Sequence, residues 1–374
     1  MKVAIFAGPT GGHFFPAFAF LEAFKNRHPD AEILFVTGER GRFLTAQYPQ
    51  PGGTRFEFLP DFPFPRPKKL NFIVEFFFFL IKLTRAFLQS GKLVNQFQPD
   101  LCVGFGSYVA FPGIWIGRNK KIPTLIHEQN QRVGRANAWL ARLADRMAVS
   151  FKDTEAASGS PRLLWTGLPL RSSLLERASQ RQSFPSPDPE KFTILVLGGS
   201  QGASSLNRLW SEAVHSMSRE EISRIAVIHI TGNKDFEGVR AMYLAKEIEA
   251  MVSPFYEKME DLYPQTHLAI TRAGASTLFE LALFELPAVI FPYPHADTHQ
   301  ELNARSFEKE GAIVFFSEKG CTGPYLKQKV FQILDAPAIR NRMVEGLRRI
   351  ARPDASEKLV DAADELLSRE TCLT

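Results

Sequence analysis

Cysteine is scarce in this 374-residue chain: Cys102, Cys321 and Cys372 are the only three, and neither pairing nor metal-ligand spacing links them. Such usage fits a reducing compartment and offers no zinc site. A long apolar run is also missing. The longest, FIVEFFFFLI at 72–81, is broken by Glu75 and reaches about half of the ~20 residues a membrane span needs. Residues 1–24 lack the charged-then-apolar order of a secretory leader. The G-x-G-x-x-G of a dinucleotide site is absent as well, because the first glycine turn spaces Gly8, Gly11 and Gly12 around Pro9 and Thr10. No repeat shorter than a domain is present. Acid is short in the first part only. Residues 1–165 carry 21 Lys and Arg against 12 Asp and Glu, whereas the remainder carries 24 against 28. A basic first half joined to a mildly acidic second half directs the first toward an anionic partner, phospholipid or nucleic acid.

What is abundant is phenylalanine, with 33 copies, and a regular alternation of apolar runs with amphipathic stretches. KVAIFA, EILFVTG, LCVGFG, PTLIHEQ and RMAVSF read as strands, and after residue 190 the pattern restarts with FTILVLGG, IAVIHITG, LAITRAG and PAVIFPYP. Continuous apolar strands separated by helices predict an α/β chain with parallel sheets covered on both faces. The length and the restart predict two tandem, Rossmann-like doubly wound domains with a cleft between them. We place the first at 1–165 and the second at 172–351, with a hinge in the proline-rich stretch within 166–190. A closing helix over 352–374 is expected to pack back on the first domain.

Four clusters carry polar chemistry. The turn GPTGGH leads from the first strand into a helix that carries His13, and glycines there let backbone amides approach an anion. A second turn, GGSQGASSLN at 198–207, adds the Ser200 hydroxyl to a helix start and suits a diphosphate; a generic turn is the bland alternative. In TRAGASTLFE, Glu280 lies one helical turn beyond Ser276, where a carboxylate accepts from both hydroxyls of a ribose, or else simply faces solvent. His295, Asp297, His299, Gln300 and Asn303 follow within nine residues; they lack zinc-site spacing and suit sugar hydroxyls better. His127, Glu128, Gln129 and Asn130 stand in a row at a strand's carboxyl end, ahead of a helix expected from about Ala136. Four such groups are either an exposed loop or a site.

Together these segments resemble the MurG family of peptidoglycan glycosyltransferases. The likeness runs through GPTGGHFFPA, GFGSYVAFPG, HEQNQRVGRAN, TGLPLR, LGGSQGASSLN, TRAGASTLFE and DTHQELNA, in the family's order and over nearly the whole chain. It implies the two-domain GT-B fold and an inverting transfer of N-acetylglucosamine from UDP-N-acetylglucosamine to lipid I, the undecaprenyl-diphosphate-linked muramoylpentapeptide, with no cofactor and no metal. His13 is then the catalytic base. Asn130 lies near the transferred sugar, Arg171 and Ser200 at the diphosphate, Glu280 at the ribose and Gln300 at the sugar. Phe255 and Tyr256 lie at the uracil, and Thr10 and Gly12 also fall on the donor side. Gly11, Gly106, Ser107 and Tyr108 fall on the acceptor side. Ser107 and Phe111 stand where the family has glycine, Pro9 likewise, Val133 replaces a proline, and His299 stands where some members carry glutamine.

The implied partners are the two substrates, an anionic phospholipid surface and other cell-wall enzymes, not nucleic acid. The implied location is peripheral, on the cytoplasmic face of the plasma membrane. The segment 66–92, with Arg66, Lys68, Lys69, Lys82, Arg85 and Lys92 around its phenylalanines, is read as an in-plane docking helix, with an ordinary core helix as the alternative. Two other functions stay open on sequence alone: another UDP-sugar enzyme of this fold, such as a lipid-A-disaccharide synthase or a sugar 2-epimerase, and a catalytically silent cell-wall scaffold.

Overall fold

The computed structural model describes residues 1–48, 51–61, 72–155, 163–180, 191–198, 203–293 and 298–371. Its contacts divide the chain into two units, Met1–Ser172 with Pro353–Thr374, and Ser173–Arg352.

The first unit holds seven parallel strands: β1 (Lys2–Ala7), β2 (Glu32–Gly38), β3 (Thr54–Leu59), β4 (Leu101–Phe105), β5 (Thr124–Glu128), β6 (Arg146–Val149) and β7 (Leu163–Trp165). Their order in the sheet is β3-β2-β1-β4-β5-β6-β7. Helices α1 (Gly11–Arg27), α2 (Arg42–Gln47), α3 (Phe72–Phe97), α4 (Ser107–Asn119) and α5 (Arg135–Leu140) connect them. The second unit begins with α6 (Ser172–Ser179), which occupies part of the stretch expected as hinge. Its strands are β8 (Phe192–Leu197), β9 (Ile225–Ile230), β10 (Ala250–Ser253), β11 (Leu268–Thr271), β12 (Ala288–Ile290) and β13 (Ile313–Phe315), again all parallel, in the order β10-β9-β8-β11-β12-β13. Helices α7 (Ser204–His215), α8 (Arg219–Ser223), α9 (Phe236–Ala245), α10 (Met259–Leu262), α11 (Ala275–Leu283), α12 (His299–Lys309), α13 (Gly323–Leu334) and α14 (Pro337–Ile350) follow, and α15 (Ala355–Thr371) ends the chain.

The phenylalanine excess is partly explained by α1. Phe14, Phe18, Phe20 and Phe24 are all buried there, on one face of the first sheet with Val3, Ile5 and Phe35. Leu359, Val360 and Leu366 of α15 join the same cluster, so the last helix completes the first unit's core. Arg27 fastens it, pairing with Glu357 and Asp361 at 2.5 Å each. These pairs lie at the surface and add at most about 1 kcal/mol each; burial of the apolar face does most of the holding.

The helix α3 departs from a simple core helix. Ala86, Leu93 and Val94 are buried against the other sheet face, while Val74, Phe77, Phe78, Leu80 and Leu88 are exposed. Phe77 is 61% accessible. Among the described residues no helix is long and apolar enough to cross a membrane.

Candidate active site

Strand order reverses between β1 and β4, and a doubly wound sheet opens a crevice at the carboxyl ends of such a pair. Both exits from these strands are built for close approach. A Cβ on Gly8 would fall 2.5 Å from the Ser107 Cβ and 2.9 Å from His13 Cδ2. Gly106 has φ +72°, and a Cβ there would lie 3.2 Å from His13 Cε1. The imidazole is thus seated between two bare stretches of backbone. Its Nδ1 lies 2.9 Å from Gln129 Oε1, at the end of β5. Thr10 precedes α1 without a side-chain cap, and no acid occupies the helix's first turn. The leading amides of Gly11 and Gly12 therefore face the crevice with the helix's partial positive charge.

Glu128 organises the neighbouring loop. Its buried carboxylate accepts from Asn130 N, Gly134 N and Asn137 Nδ2, each at 2.9 Å, and from Asn130 Nδ2 at 3.3 Å. This ties Asn130 to the strand end that carries Gln129. Tyr108, in the first turn of α4, donates to Asp61; burial, and then that carboxylate, push its hydroxyl well above the usual phenol range. Arg171 is buried in the same unit, its guanidinium 4.7 Å from the Phe15 ring centroid and its Nη1 2.7 Å from Tyr48 Oη.

The second unit reverses strand order between β8 and β11. Ser200 lies outside the described residues, as do His295 and Asp297. What is described there is a buried ion pair. Arg272, just past β11, is 4% exposed; it donates to Ser205 Oγ at 2.7 Å and pairs with Glu318 at 2.6 Å. Glu280 on α11 does not face solvent: it is buried, and Tyr263 donates to its Oε2 at 2.6 Å. Gln300 opens α12 with its carbonyl oxygen accepting from Tyr293 N at 2.8 Å. Phe255 is half-exposed and Tyr256 partly buried, both just past β10.

Thr10, Gly11, Gly12, His13, Gly106, Ser107, Tyr108 and Asn130 thus gather at one set of strand ends, with Arg171 in the same unit, and Phe255, Tyr256, Glu280 and Gln300 belong to the other. Gln129, Glu128, Asp61 and Arg272 had no assigned role in the sequence reading. The row of polar residues at 127–130 was the signal for the first two; Asp61 and Arg272 meet their partners only through the fold. Among the described residues no three His, Cys, Asp or Glu side chains cluster as metal ligands do. A groove of about 550 Å³ between α3 and α4, lined by Phe87, Leu88, Lys92 and Trp115, lies toward the far half of α4.

Comparison with known proteins agrees with this architecture. Residues 3–149 match the glycosyltransferase family 28 N-terminal domain and residues 193–365 its C-terminal domain. The chain is 35% identical over 370 residues to the UDP-N-acetylglucosamine--N-acetylmuramyl-(pentapeptide) pyrophosphoryl-undecaprenol N-acetylglucosamine transferase of Desulfotalea psychrophila, covering 99% of this chain and 98% of that one. The enzyme of the same name from Geobacter sulfurreducens is 35% identical over 362 residues, covering 96% and 97%. Among solved structures, Acinetobacter baumannii MurG aligns at TM-score 0.74 and 27% identity over 97% of this chain and 99% of that one. The UDP-GlcNAc 2-epimerase of Neisseria meningitidis shares the fold alone, at TM-score 0.65 and 13% identity over 98% of this chain and 100% of that one. Two parallel-sheet α/β domains of the GT-B type, matched end to end by these transferases, mean that the chain belongs to the MurG family of glycosyltransferases.

Proposed function

We propose that this protein transfers N-acetylglucosamine from UDP-N-acetylglucosamine to lipid I, forming lipid II for peptidoglycan synthesis. The observation that carries the reading is the full-length likeness, at 35% identity, to transferases named for that reaction. The site chemistry agrees with it. The acceptor hydroxyl attacks the anomeric carbon opposite the departing UDP, so the centre inverts. His13 takes the hydroxyl proton, and a base of its type is suited to neutral pH. The amides of Gly11 and Gly12 favour the acceptor's diphosphate, with Gly106, Ser107 and Tyr108 beside it.

On the donor side, Glu280 takes the ribose hydroxyls, Gln300 and Asn130 the sugar, and Phe255 and Tyr256 the uracil. Thr10 and Gly12 also border the donor. Arg171 and Ser200 meet negative charge developing on the departing diphosphate. We further propose that the exposed face of α3, with Lys82, Arg85 and Lys92 beside it, docks on an anionic lipid surface, which places the enzyme peripherally on the cytoplasmic face of the plasma membrane, where a lipid-linked acceptor resides. Other cell-wall enzymes are further partners in this reading.

The test is product formation from UDP-N-acetylglucosamine and a short-chain lipid I analogue. A disaccharide product supports the reading. Epimerised UDP-sugar, or no turnover with intact UDP binding, would replace it with an epimerase or a silent scaffold.

A further inference from the structure

The imidazole of His13 is the end of a buried hydrogen-bond chain whose polarity is determined at the other end. Gly167 O can only accept, and it lies 3.2 Å from His127 Nε2, so that nitrogen carries the His127 proton. His127 Nδ1 is therefore bare, and Gln129 Nε2 lies 3.2 Å from it. The amide nitrogen of Gln129 also faces His127 O at 3.1 Å and Phe105 O at 3.4 Å, two further groups that only accept. With three acceptors around the nitrogen, the Gln129 carbonyl oxygen is left pointing at His13 Nδ1, 2.9 Å away. An oxygen there demands a proton on Nδ1.

From this chain we infer that Gln129 is a positioning residue for the transfer: it holds the proton of His13 on Nδ1 and so leaves Nε2 as the bare, basic nitrogen. Nε2 has no hydrogen-bond partner among the described residues. A flipped ring would fill nearly the same space but set a C–H against Gln129 Oε1, so the 2.9 Å hydrogen bond, not steric contact, selects this orientation. Gln129 thus does for His13 what a buried carboxylate does for the histidine of a catalytic triad, but as a neutral amide that leaves the imidazole's charge unpaired. The relay stays neutral throughout. Burial, reinforced by the neighbouring His13, pushes His127 down to about 4, so it holds one proton at neutral pH, and that proton is spent on Gly167 O. The inference deepens the reading of His13 as base and rests on it for its catalytic consequence, though not for the tautomer.

The test is ¹⁵N-histidine labelling of the full chain, with the His13 ring signals assigned by their loss in His13→Gln. Wild-type protein should show Nδ1 protonated and Nε2 bare. In Gln129→Leu the Nδ1 preference should be lost and kcat should fall about 10- to 1,000-fold, below the full loss of a triad orienter, while the donor KM stays within about twofold. Gln129→Glu, as the neutral acid, keeps an acceptor oxygen toward His13 and a donor toward the three acceptors, so it should restore the Nδ1 proton and part of kcat. A wild-type ring protonated on Nε2 would overturn the proposal, as would Gln129→Leu with the tautomer and kcat unchanged. Should Gln129→Leu fail to fold, the wild-type and Gln129→Glu spectra decide it. Turnover retained in His13→Ala would sink the base assignment separately, because the nitrogen shifts report the tautomer without any activity.

Discussion

The crevice at β1 and β4 and the crevice at β8 and β11 come from the same reversal of strand order, yet they are furnished differently. The first surrounds one partly buried imidazole with glycine backbone, helix-start amides and a chain of neutral hydrogen bonds. The second surrounds its strand ends with committed charge: Arg272 locked to Ser205 and Glu318, and Glu280 held by Tyr263. A group that must gain and lose a proton needs a fixed orientation and an uncommitted nitrogen. A group that must hold a ligand's hydroxyls needs a fixed charge. The proposed division, proton chemistry in one unit and recognition in the other, follows from the different side chains that cap equivalent strands.

The largest effect that would break this division belongs to His13. Replacing it with alanine should lower kcat on the order of 10²- to 10⁴-fold, the usual contribution of a general base, and leave UDP affinity nearly unchanged. Steady-state kinetics with a soluble acceptor analogue, paired with calorimetry of UDP binding, reads both numbers. A fall of less than tenfold would move His13 to the recognition side.

Glu280 is the mirror experiment. In the proposed reading its carboxylate contacts the ribose in the ground state as well as the transition state, so Glu280→Ala should raise the donor KM more than it lowers kcat. Each lost charge-assisted hydrogen bond is worth roughly 1.5–3 kcal/mol, about 10- to 150-fold in affinity. Tyr263→Phe should show a smaller shift in the same direction, since it releases the carboxylate without removing it. An unchanged donor KM in Glu280→Ala would remove the residue from the ribose.

A third contrast sets the exposed face of α3 against the buried face of the same helix. Phe77, Phe78 and Lys82 are all exposed, so changing them together to serine should leave the fold intact. Co-sedimentation with anionic vesicles should drop several-fold while turnover of a soluble short-chain acceptor survives. Unaltered vesicle binding would leave that face without a lipid role.

These contrasts were only partly legible in the sequence. All nine strands read from apolar runs exist, and they are the interior strands of the two sheets. The four left unread, β3, β7, β10 and β13, are the four sheet edges. An edge strand is buried on fewer sides, and TRFEFL or AMVS accordingly lacks a continuous apolar run. The helix expected from Ala136 is real but only six residues long, and it passes at its end into i→i−3 turns at Arg142 and Leu143. At the site, glycine turns and His13 stood out by composition. Gln129 stood out only as one of the polar row at 127–130; its role did not, because it depends on three acceptors supplied by residues 105 and 127 and on a histidine 116 positions away.

The smallest expected effect concerns the backbone that seats the imidazole. Ser107 has φ +67°, a left-handed conformation that costs an L-residue roughly 1–2 kcal/mol and glycine almost nothing. Its neighbour Gly106 is also at positive φ, so two consecutive residues carry the tight entry into α4. Ser107→Gly should therefore relieve strain, offset by up to about 1 kcal/mol of extra chain entropy in the unfolded state. The net gain is about 0–2 kcal/mol, read as a small rise in the first unit's unfolding midpoint. The same change should soften the penalty at Gly8, where an added methyl now meets the Ser107 Cβ at 2.5 Å. Gly8→Ala should cost less in the Ser107→Gly background than alone, and a double-mutant cycle measures the difference. Strict additivity would mean that the two turns do not share the strain.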